Sequence, residues 1–482
     1  AYADDLILFA NDHRAANRLL KVATEFFRER GLALNATKSA ALSVGVVPGK
    51  KQLYTHTKNL FYVGGKAIPQ LTPDDYFKYL GSRYNFSGQV RPSVELLKTQ
   101  LARVQSAPLK PAQKLTMIRD HVVARFLSCL QSVRVTLKAL KDADRLVRLS
   151  VRKVLHLNKS SPDAYIHAPI REGGLGIISL RAHIPAIMRS RLFKIATTAD
   201  PLTATVLQIP AVEKFYQTLL RWTEGNGGST TNIRKEWGRK LQESYSGNGL
   251  RQGNTSGVSG DWLRNPPNFW SGADYIDAVR LRGNLLPTRG IPSNPPHERK
   301  CRAGCNKTES LSHVLQGCPL THWHPIRRHD RVAGRLRQIA EKKGWMVEEE
   351  MRLRLADGSL RKPDLVMAQG DTIVVCDVTI VWEGPNPLTM AYHQKVAYYS
   401  QQPVLDAIHD RFPGRSVVVL ALVLGARGTW CDQNNAITDT LSLSRAQNSL
   451  INNCINGSII VHREFMRTSF TRATGGRGRG DI

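Results

Sequence analysis

Eighteen residues, CRAGCNKTESLSHVLQGC, constrain this chain more tightly than any other stretch. Cys301, Cys305, His313 and Cys318 are separated by three, seven and four residues, and the window holds three of the chain's seven cysteines. So short a segment cannot bury a core of its own. Soft thiolates and an imidazole at this spacing therefore point to a closed tetrahedral Zn²⁺ site that substitutes for one. Seven cysteines in 482 residues do not form a disulfide framework, and we read a reducing compartment. His322, His324 and His329 follow closely and read as surface histidines.

Charge narrows the partners. Lys and Arg total 68 against 39 for Asp and Glu, a formal net charge of +29, and the excess is spread along the whole chain. Nucleic acid is the first candidate for so basic a protein. A hydrophobic share of 41% excludes wholesale disorder and suits two or three domains. No apolar run approaches the roughly 18 residues of a membrane span, and the N-terminal residues lack a signal-peptide pattern. We expect a soluble, intracellular protein with no membrane partner. The chain opens inside a motif without an initiator Met, so a fragment of a longer protein is expected.

The pattern of apolar residues divides the chain. In NDHRAANRLLKVATEFFRERG they recur at helical spacing and stop at Gly31, while GLALNATKSAALSV, NLFYVGGKAI and YFKYLGSRYNF read as strands or hairpins, making residues 1–90 α+β. Residues 91–223 carry long basic helical stretches. Residues 224–269, rich in Gly, Ser and Asn, read as a flexible insertion. Residues 270–330 hold linker helices and the Cys/His window. Residues 341–463 run strand, strand, helix, strand, a compact α/β domain. The Arg/Gly-rich residues 464–482 read as a disordered tail. The fold class expected is a multidomain α+β protein.

Two further constellations carry chemistry. The chain begins AYADDLILFA, with Asp4 and Asp5 ahead of a run that reads as buried. Adjacent aspartates at a hairpin turn can hold two Mg²⁺ ions, one activating a primer 3′-hydroxyl and one bridging a triphosphate and its leaving group, with Tyr2 flooring the site. Farther on, RKPDLV is followed by VVCDVTI and then HQKVAYY. Asp364 would open one strand and Asp377 lie in the next, so a hairpin can bring both carboxylates to one Mg²⁺ beside a scissile phosphate. Lys395 would reach in from the following helix to orient water or stabilise developing charge.

The order of these features resembles a known family. YADD, an apolar run, a helix and GLALNATKS resemble the reverse-transcriptase palm, which implies that Lys38 sits near the leaving pyrophosphate. KYLGSRYNF resembles the primer-grip hairpin of non-LTR retrotransposon enzymes. YIDAVRLRGNLLPTRG resembles the helical segment before their zinc knuckle, and its Arg280, Arg282 and Arg289 would contact template RNA or target DNA. Restriction-type nucleases usually place a lysine two residues after the second acid, where this chain has Thr379. The retrotransposon version moves it to the following helix with a tyrosine soon after, which implies Lys395 and Tyr398 or Tyr399, with Tyr398 the substrate contact. APLKPAQKLTMIRDHVVARFLSCL and IHAPIREGGLGIISL resemble the thumb. The chain as a whole is similar to the restriction-like-endonuclease branch of non-LTR retrotransposons, most like the class that inserts into ribosomal RNA genes.

That resemblance implies a partial reverse-transcriptase palm, a helical thumb, a CCHC zinc knuckle and a restriction-endonuclease-like domain. It implies nicking of duplex target DNA and use of the new 3′-hydroxyl to copy element RNA from deoxynucleoside triphosphates, in the nucleus, by one copy or a dimer. The family's third metal-binding aspartate lies on an earlier strand, so Asp4 and Asp5 are two of three expected ligands. The alternative is a decayed or domesticated copy that only binds nucleic acid.

Overall fold

The computed structural model describes residues 6–475 apart from 51, 57, 59, 80–81, 87, 91–92, 132–134, 225–227, 251–256, 385 and 444–445. Tyr2, Asp4 and Asp5 lie outside the described residues. The chain divides into two units, residues 1–93 with 126–136 and residues 94–125 with 137–482.

In the first unit, the expected amphipathic helix spans His13–Glu29. Asp12 caps it by accepting from the Ala15 backbone N–H at 2.7 Å, and Gly31 leaves it at φ 73°. Its Ala16 and Leu20 pack on Ala36, Phe61 and Ile68. The strands are short: β1 (Val44–Val46) pairs antiparallel with β2 (Leu53–Thr55), and β3 (Tyr62–Val63) pairs with β4 (Lys66–Ala67). Gly64 and Gly65, at φ 55° and 76°, make the turn between the latter pair. β5 (Phe77–Tyr79), β6 (Ser82–Asn85) and β7 (Gly88–Gln89) form a three-stranded meander.

Two expectations fail in this unit. Leu6–Ala10 form no strand, and Phe9 is 84% exposed. An apolar run stays extended and buried only where a neighbouring strand pairs with it, and no described strand does. The GLALNATKS stretch turns rather than running straight. Asn35 accepts from the backbone N–H groups of Thr37 and Lys38, closing a 3₁₀ turn over Ala36–Lys38.

The second unit opens with helices that include Val94–Ser106, Leu137–Val154, Leu180–Ala196 and Pro210–Thr223. Leu137–Val154 buries Leu140, Ala143, Val147, Val151 and Val154, a three-to-four-residue spacing that turns one face inward. Buried Asp144 on that helix accepts from Ser179 Oγ at 2.6 Å and the Leu180 N–H at 2.7 Å, which anchors the start of the next long helix.

The Gly/Ser/Asn-rich segment is a correction. Thr230–Glu243 is a helix burying Ile233 and Leu241, and Trp262 beyond it is 1% exposed. Residues 225–227 and 251–256 of this segment lie outside the described residues, while Gly247 and Gly249 serve close approach rather than flexibility. A Cβ on Gly247 would lie 2.2 Å from the Leu241 carbonyl oxygen, and one on Gly249 would lie 2.6 Å from the Glu383 backbone. Composition alone does not distinguish these two uses of glycine.

The C-terminal part is built on a four-stranded sheet. β8 (Met346–Glu349) is followed by the small ribbon of β9 (Leu353–Arg354) and β10 (Leu360–Arg361), then β11 (Leu365–Gln369), β12 (Thr372–Val381) and β13 (Ser416–Gly425). The sheet order is β13-β12-β11-β8, with β12 and β13 parallel and the other pairs antiparallel. The parallel pair needs a crossover, supplied by helices Pro387–Tyr399 and Gln402–Arg411. Ile373 and Val375 of β12 pack under Tyr399, Val404 and Ile408 of that crossover.

The tail is a second correction. Helix Ala446–Gly475 takes in residues 464–475 of the stretch expected to be disordered, and residues 476–482 lie outside the described residues. Phe465, fully buried, packs with Cys301, Val314 and Cys318.

Candidate functional site

The Cys/His window folds as a tight knuckle. The Cys301 N–H donates to the Lys307 carbonyl at 2.8 Å, and Ser310 caps the short helix Leu311–Gln316 that carries His313. The four ligand atoms lie within 4.8 Å of one another. Cys301 and Cys318 sulfurs are 3.9 Å apart, against about 3.8 Å for two thiolates on a tetrahedral Zn²⁺ with 2.3 Å bonds. Cys305 Sγ is 3.0 Å from His313 Nε2. Burial pushes the Cys301 thiol up to about 12 and raises Cys318 too, so a metal entering this cluster displaces thiol protons. Glu309, fully buried, ties the knuckle together by accepting from Arg302 Nη2 at 2.6 Å and the Arg289 N–H at 2.8 Å. Three thiols and an imidazole in this arrangement can hold zinc.

A second cluster forms where β11 meets β12. Leu365 pairs with Cys376 in that antiparallel register, and one step further sets Asp364 opposite Asp377. Strand alternation puts Asp377 on the same face as Ile373 and Val375, under the crossover helix. From that helix Lys395 Nζ reaches Asp377 Oδ2 at 2.8 Å. Burial first, and then the charge of Asp364, raises the Asp377 carboxyl against the pull of Lys395. Asp364 Oδ2 accepts from the Val378 N–H at 2.7 Å. Among the described residues, the hydrogen bonds to Asp364 reach this one oxygen, which leaves Oδ1 open to a cation.

His329 belongs to this cluster, against the surface reading. Its Nε2 lies 3.1 Å from Asp364 Oδ2 and 3.0 Å from the Val378 carbonyl, while Nδ1 lies 3.1 Å from Asp330. The Asp364 carboxylate raises His329 to about 9. It sits on helix Trp323–Glu341, directly after the knuckle. Nothing in its local sequence marks it, because its partners are 35 and 49 residues away.

Other expected contacts are redistributed. Arg282 is 1% exposed and donates to the carbonyls of Gly173, Ser259 and Ile170 at 3.2, 2.7 and 3.1 Å, so it holds the helical part together and is closed to nucleic acid. Arg280 donates to the His156 carbonyl at 3.1 Å, and Arg289 is exposed. Of the two tyrosines, Tyr399 stands beside Asp377 and its O–H donates to the Lys362 carbonyl at 3.1 Å. Tyr398 instead lies 42% exposed under the Arg361 guanidinium. One helical residue of offset, about 100°, separates site from surface. Lys38 is exposed at the end of its turn in the first unit.

A buried ion pair backs the sheet. Arg427 Nε contacts Glu383 Oε2 at 3.1 Å, and its Nη1 donates to the Ser246 carbonyl at 3.1 Å. Both side chains are essentially inaccessible. The pair ties the loop after β12 and the loop after β13 to the glycine-rich segment. A lone Arg and a lone Glu give no sequence signal for this.

No family model matches the chain. Over 477 residues, 98% of its length, the chain is 36% identical to the Retrovirus-related Pol polyprotein from type-1 retrotransposable element R2 of Popillia japonica and covers 66% of it. It is 35% identical over 469 residues to a second such polyprotein of Popillia japonica, covering 76% of that chain. This chain belongs to the R2 non-LTR retrotransposon Pol polyproteins. It is also 33% identical over 479 residues to the polyprotein from type-2 retrotransposable element R2DM of Drosophila melanogaster, 45% of whose length it covers. The R2 relatedness runs through the knuckle and the β11–β12 carboxylates alike. Among the described residues, no helix is long and apolar enough to cross a membrane.

Proposed function

We propose that the chain is part of an R2-type polymerase and endonuclease that nicks duplex target DNA and primes reverse transcription of element RNA from the nick, in the nucleus. The observation that carries the nuclease half is Lys395 on Asp377, with Asp364 opposite, immediately before the adjacent strand. Helix Trp323–Glu341, three antiparallel strands, a helical crossover and a parallel strand give the order of a restriction-endonuclease-like core. Asp364 and Asp377 would hold Mg²⁺, which polarises the scissile phosphate and lowers the pKa of an attacking water. Lys395 stands where it can orient that water or balance charge on the phosphate, and Tyr399 keeps Asp377 turned toward it.

The polymerase half rests on YADD and GLALNATKS. Asp4 and Asp5 would hold two Mg²⁺ ions for deoxynucleoside triphosphates, Tyr2 would floor the site and Lys38 would lie near pyrophosphate. Zn²⁺ on Cys301, Cys305, His313 and Cys318 would be structural.

The test is Mg²⁺-dependent nicking of supercoiled plasmid by the chain, compared with Asp364→Ala, Asp377→Ala and Lys395→Ala. Nicking lost in all three variants establishes the nuclease site. Zinc-loaded, folded protein that binds DNA and leaves it intact supports the binding-only alternative.

A further inference from the structure

Helix Trp323–Glu341 carries an exposed stripe that neither metal cluster uses. Trp323 is 69% exposed and Ile326 is 42% exposed, while Arg327 and Arg331 are also exposed. At 100° per residue, positions 323, 326, 327, 330 and 331 share one side of the helix, opposite the buried Arg328 and Val332. An exposed indole this large is unusual on a soluble surface, and two arginines make the stripe cationic. The one carboxylate on it, Asp330, is turned to His329 Nδ1 at 3.1 Å. The His322 ring stands edge-on to the indole, their centroids 5.2 Å apart.

The start of the helix that carries Trp323 is fixed. Cys318, a knuckle ligand, begins the 3₁₀ turn Pro319–Thr321, and buried Thr321 donates to the Val314 carbonyl at 2.9 Å. The helix starts two residues later, so the knuckle sets where the indole projects. His329 lies six residues on, about 9 Å along the axis, and touches Asp364. Because His329 is also turned about 120° round a helix roughly 10–12 Å across, a strand with 3.4 Å between nucleotides spans the way in roughly four or five nucleotides.

We propose that Trp323 is a stacking platform for an unpaired base a few nucleotides from the scissile phosphate, with Arg327 and Arg331 gripping the adjoining backbone. The placement beside a cleavage site rests on the nuclease reading above; the stacking surface does not. An exposed aromatic flanked by arginines fits single-stranded nucleic acid, where bases offer their faces and phosphates their charge. A paired duplex keeps its bases stacked on one another and offers the indole only an edge. The surface would therefore favour DNA that is frayed, nicked or flapped over intact duplex.

The experiment is fluorescence anisotropy of the 482-residue chain on a blunt duplex and on the same duplex with a three-nucleotide flap, with Ca²⁺ in place of Mg²⁺ so that binding is read without cleavage. 2-Aminopurine in the flap reports stacking directly. Wild type should bind the flapped DNA more tightly and quench the probe. Trp323→Ala should lose roughly tenfold on the flapped DNA, the effect of one stacked base, while changing blunt-duplex binding less than twofold and abolishing the quench. Trp323→Tyr should retain most of both. Arg327→Ala should weaken both substrates alike and flatten the salt dependence. Equal binding of both DNAs by Trp323→Ala and wild type, or an unchanged quench, overturns the proposal. So does a Trp323→Ala effect confined to the oligomeric state, which would assign the stripe to a protein contact. A chain that shows the Trp323-dependent preference yet never nicks DNA in Mg²⁺ would refute the nuclease reading and leave the stacking surface standing.

Discussion

The knuckle and the carboxylate cluster flank one helix, yet they are made differently. The knuckle draws all four candidate metal ligands from eighteen consecutive residues and closes them off with Glu309 and Phe465. The carboxylate cluster takes His329, Asp364, Asp377 and Lys395 from a helix, the residue before β11, β12 and a crossover, and among the described residues the hydrogen bonds to Asp364 reach one oxygen only. A closed local site suits a metal that substitutes for a core, and an open assembled one suits a metal that must meet substrate. The assembled site therefore depends on packing far from it.

Removing metal from the knuckle should have the largest effect. Apparent binding energies of structural zinc are on the order of 10 kcal/mol, so chelation or Cys301→Ser should abolish hydrogen-exchange protection across residues 301–321. Asp377→Asn should leave zinc content at one equivalent. Metal lost from both variants would mean the two clusters are not independent.

Next is the ion pair behind the sheet. Arg427→Ala strands Glu383 in a dry site and should cost about 3–5 kcal/mol in urea unfolding. Replacing both partners by Met and Leu should recover most of it, because burying two charges is itself expensive. A loss below about 1 kcal/mol would show that the glycine-rich segment is not what holds the assembled site.

Acid should weaken the helical region that buries His183. Burial lowers His183 to about 4, with its Nδ1 on the Ser179 carbonyl. A histidine depressed in the folded state contributes stability in full above its unfolded pKa of about 6.5, and that contribution falls as pH drops toward 4. The difference corresponds to about 3 kcal/mol. Urea midpoints for wild type should drop between pH 7 and pH 4.5, with a shallower drop in His183→Gln. Parallel curves would assign the acid sensitivity elsewhere.

The smallest effect sharpens the comparison most. His329→Ala should reduce nicking about 10- to 100-fold, as loss of an outer partner of a metal ligand does, with a higher Mg²⁺ half-saturation and unchanged zinc content. His329→Gln, which keeps a donor near the Nε2 position, should restore part of the rate. Identical Mg²⁺ curves for wild type and Ala would remove His329 from the site.

Sequence reading went furthest where contacts are local. The helix over His13–Glu29, the hairpin turn at Gly64 and Gly65, the knuckle ligands and the strand positions of Asp364 and Asp377 all follow from spacings of a few residues. It went astray where one composition serves two purposes. Glycines at 247 and 249 read as slack but permit close packing, and the residues before the Arg/Gly tail read as disordered although Phe465 anchors their helix. Arg282 read as a nucleic-acid contact because charge usually faces water, but three backbone carbonyls hold it inside.

By itself the sequence determined the basic character of the chain, its family, the zinc-type ligand set and the carboxylate pair with its lysine, because residue type and short-range order carry that information. Tertiary structure alone decided that His329 meets Asp364, that Tyr399 rather than Tyr398 turns toward Asp377, and that Arg427 pairs with Glu383 under the glycine-rich segment. Those choices join residues tens of positions apart or depend on about 100° of helical phase, and they are settled only when the elements pack.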